Sequence, residues 1–221
     1  MSLRREIFCY VMRITIFGAS GRTGRALIET ALAQGHTLTA HLRSEASGEG
    51  LPAGVRKVIG AIDDPAMLAD ALDQADAAIS ALGTTIRKPN TVLSDLTRAI
   101  VTAMQGAAVP RMVCITSLGV GDSYPQVAGL FMRTLIKTLG KEIWADKGRQ
   151  EEVIAASALD YLIVRPGGLT NKPGTGKWRA KDAGVAVKGT QMIPRADVAA
   201  FCLSECTAPS LHRARITLLA G

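Results

Sequence analysis

The 221-residue chain is poor in aromatics: Phe, Tyr and Trp together make up only 4% of it. Ala, Val, Ile and Leu must therefore build the core, and small residues favour close contact between helices and a sheet. Cysteine is scarce too. The four are Cys9, Cys114, Cys202 and Cys206, and none sits in a Cys-x-x-Cys pair. Cys202 and Cys206 stand one helical turn apart without further His or Cys at zinc spacing, which argues against a metal site. Buried, reduced thiols and a cytoplasmic setting are the expectation. His36, His41 and His212 are dispersed, and none is assigned a catalytic or metal role. No apolar run reaches the ~18 residues needed to cross a bilayer. There is no low-complexity stretch and no repeat of fixed period.

What the chain has is apolar substance and positive charge. A hydrophobic share of 48% suffices for one packed domain. The net charge of +7 favours anionic partners, such as a phosphorylated cofactor, nucleic acid or an acidic membrane surface, or else marks a basic solvated face. Arg4, Arg5 and Ile7–Met12 faintly suggest a signal peptide, but the stretch is too short and runs into the first strand. Residues 1–11 are read as an extension from an upstream start or a remnant of cloning, and residues 12–221 as a single domain.

Strand patterns fall at Arg13–Phe17, Thr37–Leu42, Arg56–Ile59, Ala77–Ala81, Met112–Thr116, Tyr161–Val164 and Arg215–Leu219. Helical patterns alternate with them: Thr23–Gln34 stopped by Gly35, a short helix with Asp64 as N-cap and Pro65 at its first position, Thr91–Gly106, Gln126–Leu139, Trp144–Ser157 and Arg195–Cys206. Lys177–Ala180 and Val185–Lys188 are read as short strands in a Gly- and Lys-rich segment. Strands apolar on both faces, alternating with helices, predict a doubly wound parallel sheet in three α/β/α layers, the Rossmann arrangement.

The segment Gly18-Ala19-Ser20-Gly21-Arg22-Thr23-Gly24 joins the first strand to the first helix with G-x-x-G-x-x-G spacing. Gly18 permits the turn, Gly21 a close approach of backbone to a pyrophosphate, and Gly24 close packing of helix on sheet. The helix N-terminus offers unpaired N–H groups and a positive dipole end to phosphates. The second strand ends His41-Leu42-Arg43-Ser44, without the acidic residue that binds the ribose of NAD. Arg43 is placed to meet a 2′-phosphate, with Arg22 as a second positive charge, so the expected cofactor is NADP(H).

Further motifs follow in order: Ala81-Leu82-Gly83-Thr84, Ile115-Thr116-Ser117, Tyr161-Leu162-Ile163-Val164-Arg165-Pro166-Gly167 and Arg195-Ala196-Asp197-Val198-Ala199. Together with the glycine loop, they resemble the atypical short-chain dehydrogenase/reductase superfamily. The likeness is to its small NAD(P)H-binding, NmrA-like branch, and within it to the biliverdin reductase B / flavin reductase type. The resemblance spans Met12 to Leu219. It implies that Gly18, Ser20, Gly21, Arg22 and Thr23 line the pyrophosphate, with Gly24 completing the loop, and that Arg43 holds the 2′-phosphate. Asp63 would lie near the adenine and Ala81, Leu82 and Gly83 along the ribose. Ser117, Pro166, Gly167 and Gly168 would lie at the nicotinamide. Lys147 resembles the lysine of the superfamily's Tyr-x-x-x-Lys pair, but Ile143 stands where the tyrosine belongs. Tyr124 is the remaining tyrosine able to serve as proton donor, or else packs locally. Lys147 would bind ribose hydroxyls or pair with Glu151.

The missing tyrosine disfavours alcohol dehydrogenation and sugar epimerisation or dehydration, which need a strong proton relay. The resemblance instead implies an NADPH-dependent reductase of a flavin-like or quinone-like acceptor, with a non-catalytic NADP(H)-binding regulator as the alternative. Such a protein would work as a monomer or weak homodimer on a small-molecule acceptor. Val127, Leu130, Phe131, Leu135 and Leu139 recur at helical spacing and are read as a core-facing stripe, ahead of a lid, dimer face or membrane-surface helix. Lys172, Lys177, Arg179, Lys181 and Lys188 around Trp178 are read as a solvated loop or hairpin near the substrate mouth rather than a nucleic-acid site.

Overall fold

The computed structural model describes residues 11–182 and 191–221. All but the last residue of the expected N-terminal extension, and the expected strand at Val185–Lys188, lie outside the described residues.

Strand β1 (Arg13–Phe17) shows why the sheet is buried on both faces. Ile14 and Ile16 point into one core, and Phe17 points into another. The side chain of Thr15 shares Phe17's face, and its hydroxyl donates to the Ala71 carbonyl at 2.6 Å, so its polarity is satisfied inside the protein. Strands β2 (Thr37–Leu42) and β3 (Arg56–Ile59) extend the sheet to one side of β1. On the other side follow β4 (Ala77–Ser80), β5 (Arg111–Ile115), β6 (Asp160–Pro166) and β10 (Ala214–Ala220). All of these pair in parallel. Strand β8 (Trp178–Asp182) closes that edge antiparallel to β10.

The strand order therefore reverses between β1 and β4, which opens a crevice at the carboxyl ends of those two strands. Helices α1 (Arg22–Ala33) and α6 (Arg195–Thr207) cover one face. Helices α2 (Pro65–Leu72), α3 (Val92–Gly106) and α5 (Lys141–Ala155) cover the other. The expected three-layer α/β/α arrangement is the one observed. The local signals hold as well: the Asp64 carboxylate accepts from Ala66 N–H at 2.9 Å, and Pro65 opens α2. Cys114, Cys202 and Cys206 are buried free thiols. Burial, above all, pushes Cys114 and Cys206 up to about 12, so both stay protonated at neutral pH.

Three sequence readings change. The helix expected over Gln126–Leu139 is instead a 3-10 turn (Gly121–Gln126) containing Pro125, followed by the short helix α4 (Leu130–Lys137). Gly129, at φ +79°, separates them. The apolar stripe there does not face the core: Val127 is buried, but Leu130 and Phe131 are 82% and 79% exposed, and Leu139 is exposed too. Finally, β7 (Gly168–Thr170) and β9 (Met192–Pro194), three residues each, form a small parallel pair where the sequence suggests only a stop after the sixth strand. No helix among the described residues is long and apolar enough to cross a membrane.

Candidate nucleotide-binding cleft

The loop after β1 is shaped by two glycines. Gly18 has φ +82°, and a Cβ there would lie 2.7 Å from the Ala81 carbonyl oxygen. A Cβ on Gly24 would lie 2.2 Å from the Gly18 carbonyl oxygen. Any side chain at either place would push α1 or the loop off the sheet. The N-cap of α1 is Gly21, which offers no side-chain cap, so the first-turn N–H groups are not spent on one.

Beside this loop runs a cleft of about 690 Å³. Its walls are the loop, the ends of β2 and β4, the 81–86 segment, and the first turns of α3 and α6. Gly18, Ser20, Gly21, Arg22, Thr23, Arg43, Ala81, Leu82 and Gly83, all expected from the sequence, line it. Gly24 lies beneath it as a packing contact. Asp63 faces elsewhere, into a separate groove with Leu68, Leu72, Ala99 and Ala103 of α2 and α3, while its neighbour Ile62 faces the cleft.

Among the described residues, the lining carries three arginines, Arg22, Arg43 and Arg195, and no carboxylate. His41 adds no charge. Burial lowers its pKa, and its Nε2–H donates to the Gly60 carbonyl at 2.9 Å. Arg195, with Val92, Leu93 and Leu96 of α3, is a wall residue that the sequence reading missed as part of a site. The sequence signal was there: an arginine opening a helix, where a cation opposes the helix dipole.

The position of α3 in this wall is fixed from α5. Asp146 on α5 is fully buried and accepts from Leu93 N–H at 2.7 Å, Ser94 N–H at 3.4 Å and the Ser94 hydroxyl at 2.7 Å. It thus caps a helix distant in sequence.

The other expected site residues lie past the cleft, along the ends of β5 and β6. Ser117 follows β5, and its hydroxyl donates weakly to the Leu118 carbonyl at 3.3 Å. Leu118 N–H donates to the Pro166 carbonyl at 2.9 Å, which ties this loop to the end of β6 and so to Gly167 and Gly168. Lys147 makes no hydrogen bond or ion pair among the described residues. Burial is the main cause that lowers its pKa, with Cys114, Glu151 and Asp146 acting against that. Glu151 is not its partner. Its carboxylate accepts from the Thr116 hydroxyl at 2.7 Å and from Arg165 Nε at 3.0 Å and Nη2 at 2.5 Å. Tyr124 is engaged locally: its hydroxyl donates to the Arg133 carbonyl at 3.4 Å, and the Lys137 ammonium sits 5.2 Å from its ring centre.

A family model described as NAD(P)H-binding matches residues 18–209. The Bacillus subtilis protein called uncharacterized sugar epimerase YhfK is 29% identical over 174 residues, 75% of this chain and 76% of its own. The structure of ChuY, described as an anaerobilin reductase from Escherichia coli O157:H7, superposes with a TM-score of 0.79 at 28% identity, covering 94% of this chain and 97% of its own. A short-chain dehydrogenase/reductase from Veillonella parvula, solved in complex with NADP, shares the fold with a TM-score of 0.76 at 19% identity, covering 94% of each chain.

Proposed function

Since the chain belongs to the NAD(P)H-binding family, we propose that it is an NADPH-dependent reductase of a small, planar, conjugated acceptor. The observation that carries this reading is the cleft itself: a glycine loop that admits no side chain, beside three arginines and no carboxylate. The residues present fit a dinucleotide phosphate. The first-turn N–H groups of α1 would bind the pyrophosphate. Arg43, exposed at the tip of β2 and making no ion pair among the described residues, would hold the 2′-phosphate. When bound, the reduced nicotinamide supplies hydride.

The rest falls to the chain. Ser117 would orient the reacting partners, and the Lys147 ammonium, without a hydrogen bond to the described residues, would hold ribose hydroxyls. Ile143 replaces the usual tyrosine and the Tyr124 hydroxyl is spent on Arg133, so solvent would supply the proton. That favours acceptors needing no strong acid, and it disfavours the sugar chemistry in the B. subtilis protein's name. The likeness to ChuY supports the choice of a reductase.

The test is NADPH oxidation against a panel of flavins, quinones, dichlorophenol-indophenol and anaerobilin, after the affinities for NADPH and NADH have been measured by cofactor fluorescence. Tighter binding of NADPH and turnover with at least one acceptor are expected. Tight binding with no turnover on the whole panel would favour the regulator reading instead.

A further inference from the structure

Helices α1 and α6 pack side by side on one sheet face, and both point their N-termini at the cleft. Each opens with an arginine at its first helical position: Arg22 after Gly21, and Arg195 after Pro194. Neither N-cap residue contributes a side-chain cap. A cation at a helix N-terminus opposes the helix dipole, and here two adjacent helices carry one each.

Among the described residues, no carboxylate pairs with either of them. The first turn of α1 has no acidic residue. The first turn of α6 has Asp197, but this is buried and turned away, accepting from Thr175 N–H at 2.8 Å and Gly176 N–H at 2.9 Å. Arg195 Nη1 donates to the neutral amide oxygen of Asn171 at 2.6 Å, and its Nε is buried without a partner among the described residues. Burial, and then the Arg22 charge, lower the pKa of Arg195. Two guanidinium groups thus line one cleft whose described lining holds no carboxylate, and the Arg22 charge is felt at Arg195.

We infer that Arg195, with Asn171 as its positioning residue, reaches the pyrophosphate bridge of the dinucleotide from α6 and closes a clamp whose other arm is Arg22, the loop residue that the family resemblance already implies there, distinct from the 2′-phosphate contact of Arg43. The inference rests on the cofactor reading above. Pyrophosphate suits the site because it is the doubly charged group common to NADPH and NADH, and because Arg22 belongs to the glycine loop itself.

The clamp separates from Arg43 by its ligand pattern. Kd values for NADPH, NADH and adenosine 2′-monophosphate are measured on the full chain. Arg195→Gln should weaken NADPH and NADH by the same factor, roughly ten- to hundredfold for a lost charged hydrogen bond, and leave adenosine 2′-monophosphate unchanged. Asn171→Ala should give a smaller loss with the same pattern. Arg195→Lys, which keeps the charge, should recover part of the loss. The melting temperature of Arg195→Gln should equal or exceed that of the parent, since a repulsion is removed, which distinguishes the effect from misfolding. The clamp is overturned if Arg195→Gln matches the parent with both dinucleotides, or if it weakens NADPH alone. A parent chain that binds neither dinucleotide would sink the cofactor reading itself.

Discussion

Lys147 shows how one side chain can cost the fold something and still be retained. Its folded pKa lies below the ordinary 10.5, chiefly through burial. A base with a lowered folded pKa destabilises the protein wherever it must stay protonated, that is, at pH below the folded value. The penalty fades as pH rises from there toward 10.5. Its neighbours do not depend on it: Glu151 has Arg165 and Thr116, and Asp146 has the amides of α3. Lys147→Met is therefore expected to raise the melting temperature at pH 6. The gain should close as pH approaches 10.5. The same variant should raise the KM for NADPH if the ammonium serves the ribose. Thermal scans across pH would check the first part; a gain that grew with pH would refute it.

At the scale of elements, one carboxylate on α5 holds the first turn of α3 in the cleft wall. Asp146→Ala removes the acceptor of two α3 amides and leaves them buried, while the Ser94 hydroxyl keeps the Thr91 carbonyl at 2.9 Å. A loss of about 2–3 kcal/mol in urea unfolding is expected from orphaned donors and a lost cap. Leu93 and Leu96 line the cleft, so dinucleotide affinity should fall as well. Stability within a few tenths of a kcal/mol of the parent would mean that α3 is capped by other means.

How far the sequence could be read divides along the same line. Helix α1 was legible because glycine, strand and helix signals coincide within Arg13–Gly24. Asp64 and Pro65 marked α2 for the same kind of local reason. Helix α4 was not. Periodicity records which residues share a face, not what covers that face, and Leu130 and Phe131 lie on one that the described residues leave exposed. Strands β7 and β9 are too short to show alternation, and the capping of α3 by Asp146 joins residues more than fifty apart. Within the site, the loop and Arg43 were readable from spacing, whereas the unfavourable arginine that opens α6 shows in the sequence but gains its place in the wall only from the packing of α6 on α1. The one-residue shift from Asp63 to Ile62 reflects the direction of a loop, which spacing alone does not set.

For the whole molecule, the reversal of strand order between β1 and β4 gathers positive ends into one place: the N-termini of α1 and α6 and three guanidinium groups, in a chain already at +7. Folding and recognition make opposite demands on such a cleft. The charges that attract a dinucleotide repel one another before it arrives, so part of the stability is deferred until an anion binds. Solution ions become a readout of that tension. Inorganic pyrophosphate should raise the melting temperature of the ligand-free protein well beyond sodium chloride at matched ionic strength, because it bridges the charges instead of merely screening them. At a tenfold excess over its Kd the linkage term is about 1.4 kcal/mol, or roughly 3–6 °C. Equal shifts from the two salts would mean that the arginines act as independent surface charges. If pyrophosphate stands apart, buffer choice is part of any comparison of this protein's variants, since a phosphate-containing buffer would partly fill the role of the cofactor and mask the differences between them.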